Sequence, residues 1–357
     1  MSPRPAKPGV LLIDFGEPES PDIDSATRFL ERIFLANANI EALGSIGTAR
    51  SRSAELARRR APGLVADYER IGGSPLRTQA AAQAAALSEE LARRGSPVPV
   101  ASCTQFTEPT IAGALERLRN AGVETVSALP VYPLCGPSTT VASLREVDRA
   151  LAMLLWDPHV VEITGWHRHP SYVRLRADAI RTSATHESMD LSDDRVELVF
   201  SAHGTPMRYV RDGSRYVDYV EDGCARVAAE LGVSEYSIGY QNHSNRGVEW
   251  TAPDVEAVLK SLAGSRSAVV VDAVSFVHEQ SETLAELDLD LRKDAEEAGL
   301  RFHRVPVPHD APELIEVLAD LVEASWGVNR AGLPLTKHCT CRPGATVCLN
   351  GRVEEGR

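Results

Sequence analysis

The segment Val196-Glu-Leu-Val-Phe-Ser-Ala-His-Gly-Thr-Pro206 decides the fold. Its first five residues are mostly apolar and predict a short buried strand. A turn with glycine and proline follows, which puts His203 at the carboxyl end of that strand. Ligands of open α/β sheets bind at this end of the strands, and imidazole exchanges protons near neutral pH. The segment therefore predicts either a functional histidine or one that only caps a loop.

A second strand-like run, residues 267–276, precedes a row of three carboxylates. Glu282, Glu286 and Asp290 fall at i, i+4 and i+8, which is one face of an α-helix. Because Glu282 follows its strand closely, we expect it at the same sheet edge as His203. The row is either a solvated helix face or a pathway for a divalent cation, since carboxylates bind such ions.

Strand-like runs alternate with helical stretches along most of the chain. This alternation predicts an α/β fold with two similar doubly wound, Rossmann-like halves, each a parallel sheet with helices on both faces. We place the N-terminal half at residues 8–150, the C-terminal half at 151–330 and a tail at 331–357.

The bulk composition excludes several classes of protein. A length of 357 residues is enough for two domains, and 43% hydrophobic with 25% charged residues is typical of a soluble globular protein. A net charge of −12 argues against nucleic acid as a partner, because nucleic acid needs a basic surface. The sequence shows neither an apolar run long enough to span a bilayer nor the apolar core of a signal peptide. We therefore expect a cytoplasmic protein.

The tail carries Cys339-Thr-Cys341 and Cys348. Thiols this close together in a cytosolic protein indicate a metal or cluster site rather than a disulfide. Both Zn2+ and a [2Fe–2S] cluster accept four thiolates, so the spacing alone leaves the two open.

The two strand-end segments resemble the signature segments of ferrochelatases. They read Val199-Phe-Ser-Ala-His-Gly-Thr-Pro206 and Phe276-Val-His-Glu-Gln-Ser-Glu-Thr-Leu-Ala-Glu-Leu-Asp288. Further similar segments follow the order of the family: Gly9-Val-Leu-Leu-Ile-Asp-Phe-Gly-Glu-Pro18, Tyr68-Glu-Arg-Ile-Gly-Gly-Ser-Pro75 and Tyr132-Pro-Leu-Cys-Gly-Pro-Ser-Thr-Thr140. The resemblance covers residues 8–330. It implies a lyase of haem biosynthesis that inserts Fe2+ into a porphyrin, in a cleft between the two halves.

The resemblance also implies roles for individual residues. His203 would accept pyrrole protons or bind the metal first, and Glu282 would share that work. Glu286 and Asp290 would extend the path outward. The porphyrin propionates would be bound by Arg60, Tyr68 and Ser74. Flat faces for the macrocycle would come from Phe15, Tyr240, Trp250 and Phe276, although aromatic residues of a core would look the same.

Two other features bear on the implied pocket. Gln280 stands where many relatives carry a histidine, and His278 could supply the missing imidazole or be a structured loop residue. The apolar segment 29–35, with Ile40 and Leu43, predicts a lip that covers the porphyrin or touches a membrane peripherally, unless it is buried in the fold.

For the tail, the resemblance favours the cluster over zinc. Many ferrochelatases hold a [2Fe–2S] cluster on three C-terminal cysteines and one internal cysteine. It therefore implies Cys339, Cys341 and Cys348 as ligands, with Cys135 as the fourth and Cys103 as the alternative.

Two rival functions are compatible with the same motifs. One is a chelatase for cobalt or another metal acting on another tetrapyrrole, and the other is a non-catalytic haem or porphyrin carrier on the same fold. An intact pair of His203 and Glu282 argues against the carrier. The sequence leaves the substrate as protoporphyrin IX or coproporphyrin III, and it leaves the oligomeric state open.

Overall fold

The computed structural model describes residues 6–38, 46–243, 247–336 and 339–350. The chain forms two compact units, and each is assembled from separated segments. Unit 1 consists of Met1–Gly16, Arg77–Tyr172 and His309–Arg357, and unit 2 consists of Glu17–Leu76 and Val173–Pro308. The segments 8–150, 151–330 and 331–357 predicted from the sequence are, by contrast, contiguous.

The elements are numbered in chain order. The strands are β1 Pro8–Asp14, β2 Val100–Thr104, β3 Thr125–Pro130, β4 His159–Thr164, β5 Val196–His203, β6 Ser237–Gln241, β7 Ala268–Ala273, β8 Arg301–Val305 and β9 Val347–Cys348. The α-helices are α1 Ile23–Ala36, α2 Ile46–Ile71, α3 Leu76–Arg93, α4 Ile111–Asn120, α5 Ala142–Leu154, α6 Pro170–His186, α7 Met207–Arg211, α8 Tyr216–Leu231, α9 Val255–Leu262, α10 Arg292–Glu297 and α11 Pro312–Ser325. The π-helices are π1 Pro137–Val141 and π2 Glu282–Leu291.

Both units contain a parallel sheet with the same strand order. In unit 1 the order is β2-β1-β3-β4-β9, and in unit 2 it is β6-β5-β7-β8. Every residue of β3 and of β7 is buried, as expected for central strands covered on both faces. Two similar doubly wound halves are therefore confirmed.

The shared strand order fixes where a ligand binds in a sheet of this kind. In each unit the second strand lies on one side of the first strand, and the third strand lies on the other side. The direction in which strands are added therefore reverses between the first and third strands. In unit 2 these strands are β5 and β7. Ligands bind outside the carboxyl ends of the strands at such a switch point.

The helix predicted after β7 is not a single α-helix. Residues 282–291 form π2, and α10 follows directly. In a π-helix the hydrogen bonds run from i to i+5, so each turn is wider than in an α-helix. The prediction of an α-helix here is therefore wrong, whereas a spacing of four residues is still close to one turn and is compatible with an acidic row along one face.

Candidate metal and porphyrin site

The backbone of His203 is held from two sides at the end of β5. Its N–H donates to Ser275 Oγ at 3.0 Å, and its carbonyl accepts from the Tyr216 hydroxyl at 2.9 Å. The Tyr216 hydroxyl and Ser275 Oγ also lie 3.0 Å apart, within hydrogen-bond distance of each other. These contacts fix the direction in which the imidazole leaves the strand.

The imidazole of His203 pairs with Glu282. His203 Nδ1 lies 3.2 Å from Glu282 Oε1, and Gln280 Nε2 donates to the other carboxylate oxygen at 2.6 Å. Burial opposes charge on both groups, but their mutual attraction outweighs it, so the pKa of His203 is raised and that of Glu282 is lowered. The sequence prediction that the two residues meet at one sheet edge is confirmed.

Glu286, the second member of the acidic row, is held by Gln241 of β6. Gln241 donates to its carboxylate at 3.0 Å and to the Glu282 carbonyl at 3.0 Å. Burial, together with the nearby Glu282 carboxylate, raises the pKa of Glu286 to about 8. Glu286 therefore carries a proton at neutral pH, whereas Glu282 does not.

Asp290, the outermost member, is more than half exposed and forms an ion pair with Arg70 of α2. Arg70 also contacts Asp67 at 3.1 Å. The hydrogen bond that Arg70 donates to Asp290 raises the pKa of Arg70 above its usual range. The three carboxylates of the row therefore have different partners: an imidazole, an amide and a guanidinium.

Arg304 of β8 ties the loop before π2 to the middle of that helix. Its guanidinium donates to both oxygens of Asp288, at 2.8 and 2.6 Å, and to Glu279 at 3.0 Å. Thr283 donates to the second oxygen of Glu279 at 2.6 Å. Because Glu282 lies between Glu279 and Asp288 in the chain, this network holds the Glu282 carboxylate in place.

His243 is the residue at this site that the sequence analysis missed. One ligand atom each from His203, His243 and Glu282 lies within 4.8 Å of the other two. Burial and the neighbouring His203 lower the pKa of His243 to about 4, so its imidazole is neutral at physiological pH. The second imidazole beside His203 therefore comes from the loop after β6, and not from His278 as considered above.

The predicted propionate-binding residues occupy different surroundings. Tyr68 is buried and makes a side-chain hydrogen bond with Ser281; burial, with nearby Glu17 and Glu282, raises its pKa. Arg60 is half-buried and close enough to His243 to contribute to its lowered pKa. The Ser74 hydroxyl accepts from the Leu76 N–H at 3.3 Å, at the start of α3. Tyr68 and Arg60 thus lie near the group formed by His203, His243 and Glu282. Ser74 instead accepts a hydrogen bond at the N-terminus of α3.

The predicted aromatic residues divide in the same way. Phe276 packs edge-on to His203 with ring centroids 6.1 Å apart, and Trp250 packs edge-on to His243 at 5.4 Å. Tyr240 is buried, and this burial raises the pKa of its hydroxyl, so it is a core residue of unit 2. Phe15 belongs to unit 1, where its ring meets Phe106 at 4.8 Å.

The cysteines of the tail converge in unit 1. Cys339 and Cys348 are buried with Ala345, and the partly buried Cys341 packs against them. Cys339 makes hydrogen bonds with Cys341 and Cys348; they lower the pKa of the Cys339 thiol, and the bond with Cys339 raises that of Cys348. The donor set is soft and fits a metal cluster.

The tail is seated against the end of β4. Ile163 and Thr164 pair with Val347 and Cys348, and the Leu349 N–H donates to the Gly165 carbonyl at 2.9 Å. Gly165 has φ +37°, and a Cβ on it would lie 1.8 Å from Asn350 Nδ2. Only glycine leaves room for the tail at this position.

The two candidate fourth ligands differ in what surrounds them. The loop of Cys135 lies beside the tail's docking site, because the Pro133 carbonyl accepts from the N–H groups of Trp166 and His167 at 3.0 Å. Cys103 lies in the core of unit 1 and donates to the Leu12 carbonyl at 3.5 Å; burial raises its pKa. Both thiols are buried, so burial does not separate them. The place of the Cys135 loop beside the docking site of the tail favours Cys135.

Part of the predicted lip can be placed. Phe29 is buried on α1, whereas Ile40 and Leu43 lie outside the described residues. In the part of the chain that the structure describes, no helix combines the length and the apolarity needed to cross a bilayer.

The doubly wound fold and the imidazole–carboxylate group at its switch point define a protein of the metal-chelatase class. SirB from Bacillus subtilis with Fe3+ has a similar fold, with a TM-score of 0.52 and 12% identity over 90% of this chain and 96% of that one. The ferrochelatase family model matches residues 7–326. The chain belongs to the ferrochelatase family.

Individual relatives agree with the family match. The ferrochelatase of Geotalea daltonii is 32% identical over 324 residues, which is 90% of this chain and 98% of that protein. The ferrochelatase of a Synechococcus species is 34% identical over 333 residues, 89% and 93% of the two chains. The predicted activity, a lyase of haem biosynthesis that inserts iron into a porphyrin, is confirmed.

Proposed function

We propose that His203 and Glu282 perform the proton transfer of Fe2+ insertion into a porphyrin. The observation that carries this is the 3.2 Å contact of His203 Nδ1 with Glu282 Oε1 at the switch point of unit 2. The free macrocycle holds two pyrrole N–H protons, and both must leave as the metal binds four nitrogens. Neutral His203 accepts one pyrrole proton, and the Glu282 carboxylate stabilises the imidazolium that results. His203 passes this proton to the acidic row and then accepts the second.

The acidic row then moves protons away from the reacting face. Glu286 is protonated at neutral pH, so it releases a proton outward before it receives the next one. Asp290, paired with Arg70, lies at the exposed end. Fe2+ incubated anaerobically with enzyme and porphyrin should give haem, and Zn2+ should give a fluorescent zinc porphyrin. A purified protein that forms neither product would contradict the proposal.

The inner and outer carboxylates are expected to differ in their kinetic effects. Glu282→Gln should lower kcat by at least about a hundredfold, because it removes the partner of the imidazolium. Asp290→Asn should mainly raise the KM for metal, because a ground-state contact at a distance from the reaction affects binding with kcat little changed. Steady-state zinc insertion measures both.

Glu297→Gln serves as the matched control for the acidic row. It removes a carboxylate beyond the row, on α10, where Glu297 contacts Lys293 at 3.8 Å, so both constants should stay as in the wild type. Equal losses of kcat in Glu282→Gln and Asp290→Asn would contradict a path that runs outward.

The choice of porphyrin extends the proposal to the propionates. Arg60 and Tyr68 supply donors near the metal-binding group, and a guanidinium is suited to a carboxylate. Assays with protoporphyrin IX and coproporphyrin III in parallel identify the preferred substrate. Cytoplasmic location and peripheral membrane contact through the lip stay predictions.

We also propose that the tail binds a [2Fe–2S] cluster through Cys135, Cys339, Cys341 and Cys348. The convergence of three tail sulfurs beside the loop of Cys135 supports it. When bound, the cluster supplies a one-electron centre. The four cysteine thiolates would bind the cluster and so hold the tail at β4. Gly165 leaves room for Asn350 of the tail.

Anaerobically purified protein is expected to be coloured and to contain two iron atoms per chain from the cluster. Cys135→Ser should lose the visible absorption and the iron, and it should expose residues 339–350 to proteolysis, because cluster binding contributes to folding. Absorption, iron content and limited proteolysis are measured together.

Cys224→Ser is the control, since that thiol is buried in unit 2. It should keep the full absorption. Colourless wild-type protein with bound zinc would show a structural zinc site instead. Loss of the cluster in Cys103→Ser, with retention in Cys135→Ser, would show that the fourth ligand was wrongly chosen.

A further inference from the structure

We propose that His203, His243 and Glu282 together bind the substrate Fe2+ before insertion, with His243 as a third ligand that the two signature segments do not contain. This inference rests on the proposed roles of His203 and Glu282. It adds a residue from a different strand and a reason for the enzyme to select a transition metal.

The first support is the geometry of the donor atoms. One ligand atom each from the three side chains lies within 4.8 Å of the other two. The rings of His203 and His243 meet at 66° with centroids 5.4 Å apart. All three side chains are partly exposed, so a metal ion can reach them from solvent.

The second support is the way the fold presses the loop of His243 against the end of β5. The Gly204 N–H donates to the Gln241 carbonyl at 2.7 Å. A Cβ on Gly204 would lie 1.8 Å from Asn242 Oδ1 and 2.7 Å from the Gln241 carbonyl oxygen. Gly204, which directly follows His203, is therefore required for the close approach of the loop that carries His243.

The residue before His243 is anchored independently. Asn242 Nδ2 donates to the Thr251 carbonyl at 2.7 Å and to Asp254 Oδ1 at 2.5 Å. Thr251 in turn accepts from the Thr205 N–H at 3.1 Å. His243 itself packs edge-on against Trp250. The anchored backbone at Asn242 and the contact with Trp250 thus both restrict the position of the His243 imidazole. A preorganised metal ligand needs such restriction.

The third support is the chemistry of the donor set. Two imidazoles with one carboxylate are the ligands of many Fe2+ sites, and they leave open positions on the metal. Hard ions such as Mg2+ and Ca2+ prefer oxygen ligands. A second imidazole therefore favours the binding of Fe2+ over Mg2+ before insertion. The open coordination positions leave room for the porphyrin nitrogens.

Binding of Co2+ to porphyrin-free protein tests the proposal without turnover. Co2+ gives visible absorption bands that change when nitrogen ligands bind, and titration yields Kd. His243→Ala should raise Kd by at least about tenfold, since even removal of a group outside the ligand shell costs that much. His186→Ala removes an exposed histidine of the same unit and should leave Kd unchanged.

A second variant guards against loss of folding. His243→Gln keeps a polar side chain of similar length, and circular dichroism with porphyrin titration establishes that both variants fold. In both, the KM for Fe2+ should rise more than kcat falls. Unchanged Co2+ affinity in folded His243→Ala, with loss of affinity in His203→Ala, would overturn the third ligand and leave the proposed function intact.

The opposite failure is distinguishable from this one. A wild-type protein that binds Co2+ through His243 but inserts neither Fe2+ nor Zn2+ into porphyrin would support the three-ligand site and contradict the proposed function. If the Co2+ absorption bands of His203→Ala and His243→Ala are both the same as those of the wild type, the three-ligand site is overturned.

Discussion

His203→Ala should lower the rate of metal insertion by at least about a hundredfold, which is the usual lower range for loss of a general base. Porphyrin binding should remain close to that of the wild type, because the proposed role of the imidazole is at the pyrrole nitrogens and not at the propionates. Insertion is followed by zinc porphyrin fluorescence, and binding by quenching of protein fluorescence. A folded variant that keeps more than about a tenth of the wild-type rate would remove His203 from the proton path.

The pH dependence gives a second readout of the same residue. Insertion needs a neutral His203, because the imidazolium neither accepts a proton nor binds a metal. Burial opposes the charge, but Glu282 outweighs it and raises the pKa of His203. We therefore expect kcat/KM of the wild type to rise with pH through a value above about 6.5, the ordinary pKa of histidine. This rise should be absent from His203→Ala.

The same raised pKa links pH to stability. A group whose pKa is higher in the folded state binds its proton more tightly there, so it stabilises the fold at pH values below its unfolded pKa. The contribution of His203 is therefore complete in mildly acidic solution. It is lost as the pH rises through the raised pKa, whereas catalysis increases over the same range.

Arg304→Met should lower the free energy of unfolding by about 3 kcal/mol, because it leaves Glu279 and Asp288 without their buried partner. Arg304 is 7% exposed, so water does not replace the lost contacts. Metal insertion should fall as well, since the loop before π2 and the helix itself are no longer tied together around Glu282. Urea denaturation with zinc insertion measures both effects.

Arg301→Met is the matched control on the same strand. Arg301 is exposed, and its side chain donates to the Glu187 carbonyl at 2.8 Å. Its replacement should change the free energy of unfolding by no more than about 0.5 kcal/mol. Equal destabilisation by the two variants would show that the network of Arg304 has no special part in the stability of unit 2.

The fold and the centre of the site were predictable because their signals are local. A short apolar run such as β7 predicts a strand from its own residues, and the alternation of strands with helices predicts a parallel sheet. The carboxyl ends of neighbouring parallel strands share one edge, so His203 and Glu282 could be placed together without coordinates. Their neighbourhood follows from topology.

His243 could not be found in this way, because its place depends on contacts distant in sequence. It follows β6 by two residues, and the sequence does not tell which strand β6 pairs with. It reaches His203 only because Gly204 admits Asn242 at close range. The available signal was a histidine just beyond a strand end, which is also what a loop histidine looks like.

The surroundings of the acidic row were out of reach for a different reason. Over the ten residues of π2 the side-chain period of a π-helix is too close to that of an α-helix to be separated in the sequence, so the pattern predicts an α-helix. The ion pair of Asp290 with Arg70 joins two residues that are far apart in the sequence. Such pairs depend on side-chain packing that the pattern of apolar residues does not encode.

The pairing of the tail with β4 covers backbone groups at the end of that strand. An edge strand exposes backbone N–H and C=O groups that can pair with another chain. In unit 1, β9 covers such groups at the end of β4, through Thr164 and its partner Cys348. Loss of the cluster proposed for the tail would uncover this edge. Oxidative damage to the cysteines would then show itself as self-association of the protein, before any change at the site where iron is inserted.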